Sequence, residues 1–315
     1  MGTLRNLVGR VVPGLLILGG VAIVTATSPA EAASPPGTPW TWGDNGFGQL
    51  GDGSTTARRT PAAVTGGLGD VIDLHGGREH VVTLRSDGTV WVWGSNASGQ
   101  LGLGTTGNVP APTRVPSLSG IVAVETGHDH SLALAGDGTV WTWGLNTDGQ
   151  LGDGSTTNRR SPVRVTGLTD AVAIAAGRNM SYAVRADATV VGWGRNAEGQ
   201  MGDGTTTRRL APVRVGSLTD VVGIAGGRDH GLALRGDGSV WSWGANAYGQ
   251  VGDGTTVNRT TPTQVTTGIV EVIAGAHLSF AVPATGQVSS RARNDAVPIG
   301  DGTTAMRTRP VLEGA

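Results

Sequence analysis

The chain of 315 residues contains no cysteine. Disulfides, thiolate zinc sites and a cysteine nucleophile are therefore excluded. It also lacks lysine, all 23 basic residues being arginine, which removes Schiff-base chemistry and a phosphate-binding P-loop lysine. Against 24 acidic residues the formal charge is −1. No long-range field favours nucleic acid or an anionic membrane. No G-x-S-x-G, H-E-x-x-H or Walker sequence occurs, so no hydrolase or transferase constellation is available and no catalytic residue or cofactor is assigned. From Trp40 onward no stretch shows the 3.6-residue amphipathicity of a helix.

Glycine is abundant at 54 residues, about 17% of the chain, yet 38% of residues are hydrophobic and there are nine tryptophans. A disordered glycine-rich chain would not carry that load. Length alone predicts about two domains, but internal repetition overrides that count.

The first 33 residues read differently from the rest. Arg5 and Arg10 form a positive start, Val11 to Ala26 is an uncharged and mostly apolar run, and Ala30-Glu31-Ala32 is a small-x-small cleavage pattern. The segment 1–32 is expected to be a secretory signal peptide cut after Ala32, with 33–39 a short linker. The alternative is an uncleaved amino-terminal anchor. Against it, the run is shorter than the ~20 residues that span a bilayer and contains Pro13 and three glycines. Both readings place the rest of the chain outside the cytoplasm, with no membrane span after cleavage.

From Trp40 one pattern recurs, as in Val90 to Leu103 (VWVWGSNASGQLGL) and Val140 to Asp153 (VWTWGLNTDGQLGD). The repeats begin near 40, 90, 140, 190, 240 and 288. Each period holds four short strand signals, in the third copy Val140–Trp143, Val163–Val165, Ala171–Ala175 and Ser181–Val184. A proline is expected to open the second strand, at Pro61, Pro112, Pro162, Pro212, Pro262 and Pro310. Asp87-Gly88, Asp137-Gly138 and Asp237-Gly238 predict two-residue hairpins with both central residues at positive φ. Asp187-Ala188 predicts a strained or differently shaped turn. Four strands in about 50 residues, repeated in tandem, match one blade of a β-propeller.

All tryptophans fall in two slots of the first strand: Trp40 and Trp42, Trp91 and Trp93, Trp141 and Trp143, Trp193 alone, and Trp241 and Trp243, with Val191 in the unfilled slot. A two-residue spacing puts both rings of a pair on one face of a strand. Such rings pack blade against blade, so Trp42, Trp93, Trp143, Trp193 and Trp243 are expected to be structural. An aromatic platform for bases or sugars is the competing reading. It is disfavoured because the rings follow the repeat.

The elements W-x-W-G-x-N-x-x-G-Q-L-G-D-G-[ST]-T, P-x-x-V and A-x-G-x-x-H-S-x-A-L, as in Gly127 to Leu134 (GHDHSLAL), strongly resemble RCC1 repeats, the regulator of chromosome condensation family. The resemblance covers 40–312 and implies an all-β, RCC1-like propeller of five to six four-stranded blades with an incomplete or degenerate last blade. The family's best-known member is a seven-bladed nucleotide-exchange factor for a small GTPase that docks on nucleosomes. A more distant group is secreted and inhibits β-lactamases. This chain lacks an obvious long insertion of the kind the exchange factor uses.

Counting half-repeats gives six of the Trp-to-Pro type and five of the Val/Ile-to-His type, so Trp40 to Val64 has no partner half. The sixth copy carries Ser289 and Arg291 in the Trp slots and Val297-Pro298 in place of Gly-Gln. Over 288–299 either a pair of compensating reading-frame shifts or a capping blade accounts for this.

His80, His130 and His230 share a repeat slot with Met180 and Leu278, which marks packing rather than a metal ring. Asp52, Asp153, Asp203, Asp253 and Asp301 each supply one carboxylate to a Gly-Asp-Gly turn. Calcium needs several, and an aspartate bonded to its own turn explains the pattern. Arg58-Arg59, Arg159-Arg160 and Arg208-Arg209 read as solvated loop arginines rather than phosphate ligands. What the repeat leaves free lies inside the Asn-x-x-Gly-Gln loops. There Phe47, Asp148, Glu198 and Tyr248 are candidates for a protein-binding surface with two aromatic anchors, ordinary surface variation being the alternative. The expected function is a secreted scaffold binding a protein or a cell-envelope component. Exchange-factor activity on a small GTPase and inhibition of a secreted enzyme such as a β-lactamase are the alternatives.

Overall fold

A computed structural model describes residues 37–286, 288–292 and 305–312. The expected signal peptide, Asp301 and most of the irregular 288–299 segment lie outside them. The described residues form 22 strands and no helix. A two-stranded sheet of β1 (Trp40–Gly43) and β2 (Arg58–Ala63) is followed by five four-stranded sheets. The first full sheet contains β3 (Val71–Gly76), β4 (His80–Arg85), β5 (Val90–Gly94) and β6 (Val109–Arg114), and the second β7 (Ile121–Thr126) to β10 (Arg159–Arg164). The third runs from β11 (Ala171–Ala176) to β14 (Arg209–Arg214), and the fourth from β15 (Val221–Gly226) to β18 (Arg259–Thr266). The fifth comprises β19 (Ile269–Ala274), β20 (Leu278–Pro283), β21 (Ser289–Ala292) and β22 (Arg307–Leu312). All pairings are antiparallel between neighbours in sequence. A blade therefore begins at the Val/Ile strand. The four strands of one sequence period divide between two sheets, half a repeat out of step with the expected grouping. The half-blade sits at the amino-terminal side, while the degenerate last blade has all four strands.

The core lies between blades. Val82, Leu84, Val90 and Val92 of the first full blade pack with Ile121, Val124, Ala133 and Trp143 of the second. Adjacent blades are joined at three radii. Near the axis the turns after the inner strands bond backbone to backbone: Arg78 N donates to His128 O (2.9 Å), His128 N to Arg178 O (3.1 Å), Arg178 N to Arg228 O (3.1 Å) and Arg228 N to Ala276 O (3.2 Å). At the rim Gly53 N donates to Pro110 O (2.9 Å) and Gly104 N to Arg160 O (2.7 Å). In between, each indole of the second Trp slot donates to the preceding blade: Trp93 Nε1 to Gln49 O (2.9 Å), Trp143 to Gln100 O (2.8 Å), Trp193 to Gln150 O (2.9 Å) and Trp243 to Gln200 O (2.7 Å). These four rings are fully buried. Trp42, for which no preceding blade stands among the described residues, is only half-buried, and Trp40 is 60% exposed.

Two local expectations are corrected, and of the two outcomes expected at Asp187-Ala188 the strained one is found. The Asp-Gly hairpins place only the glycine at positive φ, 75° at Gly88. Gly88 N bonds Arg85 O and Arg85 N bonds Thr89 O. This is a three-residue loop, a type I turn closed by a left-handed glycine, and Asp87 fixes it by accepting from Thr89 N and Oγ1. The turn at Asp187-Ala188 keeps that shape, Ala188 N bonding Arg185 O, at the cost of a non-glycine φ of 59°. The prolines do not open their strands. Pro162 lies inside β10, where the pairing with β9 (Val140–Gly144) shifts register between Arg159 and Val163. An outer strand tolerates a missing N–H there.

Candidate functional site

The residues that recur are consumed by the fold. Asn146, fully buried, accepts from Leu151 N (3.0 Å) and donates to Ser155 O and Thr157 O (3.1 Å each), stapling its long loop. Gln150 Oε1 accepts from Asp148 N (2.9 Å). Asp153 Oδ1 accepts from Ser155 N (3.0 Å) and its Oδ2 pairs with Arg159 at 2.7 Å. Burial works against its charge, but the bonds from Ser155 and Arg159 outweigh it and lower its pKa. Asp52 with Arg58, Asp203 with Arg209 and Asp253 with Arg259 repeat the pair at 2.8, 2.6 and 2.5 Å. One arginine of each doublet is thus an ion-pair partner, not a solvated side chain. The six-residue spacing from aspartate to arginine could have revealed it.

The histidine slot is also structural, through hydrogen bonding as well as packing. Ser131 Oγ spends its proton on Gln100 O (2.8 Å) and so accepts from His80 Nε2 (3.0 Å). His130 with Ser181 and His230 with Ser279 repeat this relay across the next junctions at 3.0 and 2.9 Å. The rings are neutral: burial pushes His80 down to about 4, and His130 and His230 down to about 3. Where Met180 replaces the histidine, Gly231 replaces the facing serine, so no polar group is orphaned. That joint change was a readable sign of contact. Among the described residues no cluster of three or more His, Asp or Glu could hold a metal ion.

One polar cluster departs from the repeat. His75 is buried between Asp73 Oδ1 (3.0 Å) and Glu125 Oε2 (3.3 Å), the latter on the next blade's inner strand. Burial opposes the imidazolium, yet the two carboxylates prevail and raise its pKa well above 6.5. Alanine or isoleucine fills the slot of His75 in the third to fifth blades, at Ala175, Ala225 and Ile273. Sequence reasoning missed this clamp, because its members come from separate strands.

The four loop candidates occupy equivalent positions, each donating its backbone N–H to the loop glutamine at 2.9 Å. Three of them reach the inner turn of the next blade or its neighbours. Asp148 Oδ2 accepts from Asn179 Nδ2 (2.7 Å), Glu198 pairs with Arg195 (2.8 Å) beside Asp229, and the Tyr248 ring lies 4.9 Å from that of His277. Phe47 is 37% exposed. The side chains at this loop position therefore vary from copy to copy on a fixed frame, reading Phe47, Ser98, Asp148, Glu198 and Tyr248 in chain order.

Comparison with known proteins agrees with this architecture. A family model described as the regulator of chromosome condensation (RCC1) repeat matches residues 36–84, 87–134, 137–184, 187–234 and 237–282, and a second of the same description matches 71–100, 121–150, 171–200 and 221–250. The human E3 ubiquitin-protein ligase HERC2 is 38% identical over 104 residues, 33% of this chain and 2% of that protein. Human protein RCC2 is 38% identical over 105 residues, 31% of this chain and 20% of that protein. The chain thus corresponds to a small part of either relative. Among solved structures, yeast RCC1 (Prp20) in complex with Kap60 superposes with a TM-score of 0.78 at 25% identity, covering 94% of this chain and 74% of that one. Human WBSCR16 superposes with a TM-score of 0.77 at 24% identity over 88% of this chain and 77% of that one, a likeness of fold.

Proposed function

The chain belongs to the regulator of chromosome condensation (RCC1) repeat family, and from that premise we propose an exported binding scaffold that holds a protein or cell-envelope partner on the face where Phe47, Asp148, Glu198 and Tyr248 emerge. One observation carries the reading. In each Asn-x-x-Gly-Gln loop the asparagine side chain and the glutamine side-chain oxygen bond within the loop and the glutamine backbone carbonyl accepts from the next blade, whereas the position of Phe47 and Tyr248 differs in every copy. A rigid frame carrying varied side chains at equivalent points suits recognition rather than catalysis. That the yeast RCC1 neighbour was solved bound to Kap60 supports a protein-binding role for a chain of this fold. Export rests on the charged start, apolar run and Ala30-Glu31-Ala32 pattern.

A pull-down from envelope and culture supernatant, followed by affinity measurement on Phe47→Ala and Tyr248→Ala, tests the surface. An aromatic anchor in an interface contributes at least ~2 kcal/mol, so about a thirtyfold loss of affinity is expected, and unchanged binding removes this face. Cell fractionation tests export: a cytosolic protein retaining residues 1–32 would refute it and revive the exchange-factor alternative.

A further inference from the structure

Every Trp strand of a full blade is paired on both edges, its inner edge with the strand that begins at the histidine slot. β1 is the exception: among the described residues it pairs with β2 alone. Its sequence, Trp-Thr-Trp-Gly, bears no charge, and Trp40 at 60% exposure projects beside the half-buried Trp42. Uncharged edges of this kind are templates for another strand. Gly37 is held at the start of β3 by reciprocal bonds with Val71 (3.2 Å each). Under the processing proposed above, on which this inference rests, only Ala33 to Pro36 would precede it, two of the four being prolines without a donor.

We propose that the inner edge of β1 is a docking site for an extended, uncharged β-segment supplied in trans, small where it faces the two indoles and large and apolar between them. The full blades supply the pattern. Opposite the first-slot indoles stand Thr83, Ala133 and Ala233. Opposite the second-slot indoles stand Val81, Ser131, Ser181 and Gly231. Between them come Val82, Leu132, Tyr182 and Leu232. Nothing larger than valine stands opposite an indole, because the ring covers the space a longer side chain would take; at Gly231 even a Cβ would lie 2.6 Å from the Trp243 ring. Main-chain bonds to the edge give such a segment its affinity and the small-large-small alternation its specificity.

The probe is a synthetic peptide with the sequence of residues 120–136, which contains β7 and β8 (His130–Ala135) as a hairpin. It is titrated into the full chain and into the chain beginning at Ala33, with tryptophan emission as the readout. Saturable binding with a blue shift is expected for both. At least tenfold weaker binding is expected when the peptide's Ser131 and Ala133 positions carry tryptophan. No saturation up to millimolar peptide, or equal binding by a scrambled peptide, overturns the proposal. So does binding by the shortened chain alone, which would make the chain's own upstream segment the occupant. The intact mass of the exported protein judges the processing step separately, since it reports the terminus whatever the titration gives.

Discussion

Replacing Arg291 by tryptophan should stabilise the last blade. Arg291 stands in the second Trp slot of β21, fully buried, with Nε donating to Gln250 O at 3.3 Å and neither terminal guanidinium nitrogen hydrogen-bonded to a described residue. Burial pushes its pKa from 12.5 down to about 10. At 1.36 kcal/mol per unit this is a penalty of ~3 kcal/mol on the charged form. The orphaned N–H groups are the same cost seen structurally, so the two are not added. Because the shift is downward for a cation, the unfolded chain holds the proton more tightly. The penalty is therefore complete below pH 10 and relieved only above it. Tryptophan in the equivalent slot donates to a glutamine carbonyl at 2.7–2.9 Å and lies against a glycine, as Trp193 does against Gly152 and Arg291 against Gly252. Exchange of a buried ion for a well-packed apolar group typically yields ~1–4 kcal/mol, in line with the pKa. Repeat arrays unfold locally, so the sensitive assay is native-state amide exchange in β20 and β21. Opening should become about a hundredfold rarer in R291W, taking tenfold per 1.4 kcal/mol. Equal or faster exchange would refute the claim that this slot is built for an indole.

Acid should destabilise the propeller well before its carboxylates titrate. His80, His130 and His230 are held neutral down to about 4, 3 and 3, while unfolded histidine binds its proton near ~6.5. Stability present above pH 6.5 is lost as pH falls through it, by up to ~4 kcal/mol per unit for three protons. His75 acts oppositely, its raised pKa contributing stability below 6.5 that is lost as pH rises through the folded value. Guanidinium melts from pH 4 to 9 should show the dome, and a flat profile from 7 to 5 would refute it; the double substitution His80→Met with Ser131→Gly, copying Met180 and Gly231, should remove one proton from the acid slope. At the Asp187-Ala188 turn, Ala188→Gly relieves a left-handed φ that costs ~1–2 kcal/mol against ~0.5–1 kcal/mol of glycine entropy. A gain of about 0.5–1 kcal/mol in denaturant melts is expected, and destabilisation would contradict the strain at φ 59°.

Much of this was legible in the chain. The paired tryptophans announced the inter-blade seam, and counting half-repeats located the Trp40 to Val64 segment, a two-stranded sheet among the described residues. The substituted slots at Ser289 and Arg291 marked the irregular last blade. Other features escaped because their partners lie far apart. The relay from His80 to Ser131 spans 51 residues, and the clamp of His75 joins β3 to β7. Its members carry no repeat signature, and only packing two inner strands side by side reveals them.

Alternation, turn chemistry and tandem periodicity are local properties, so the residues alone dictated which segments become strands, where they reverse and which face each indole takes. Their grouping into blades was decided in three dimensions. A strand offers hydrogen bonds on both edges, and a Trp strand follows a short turn from one neighbour and precedes a long loop to the other. Whether a period closes on itself or is cut in the middle depends on which edges meet once blades pack. The same global condition left β1 paired with β2 alone among the described residues, since only a neighbour in space could supply a strand on its other edge.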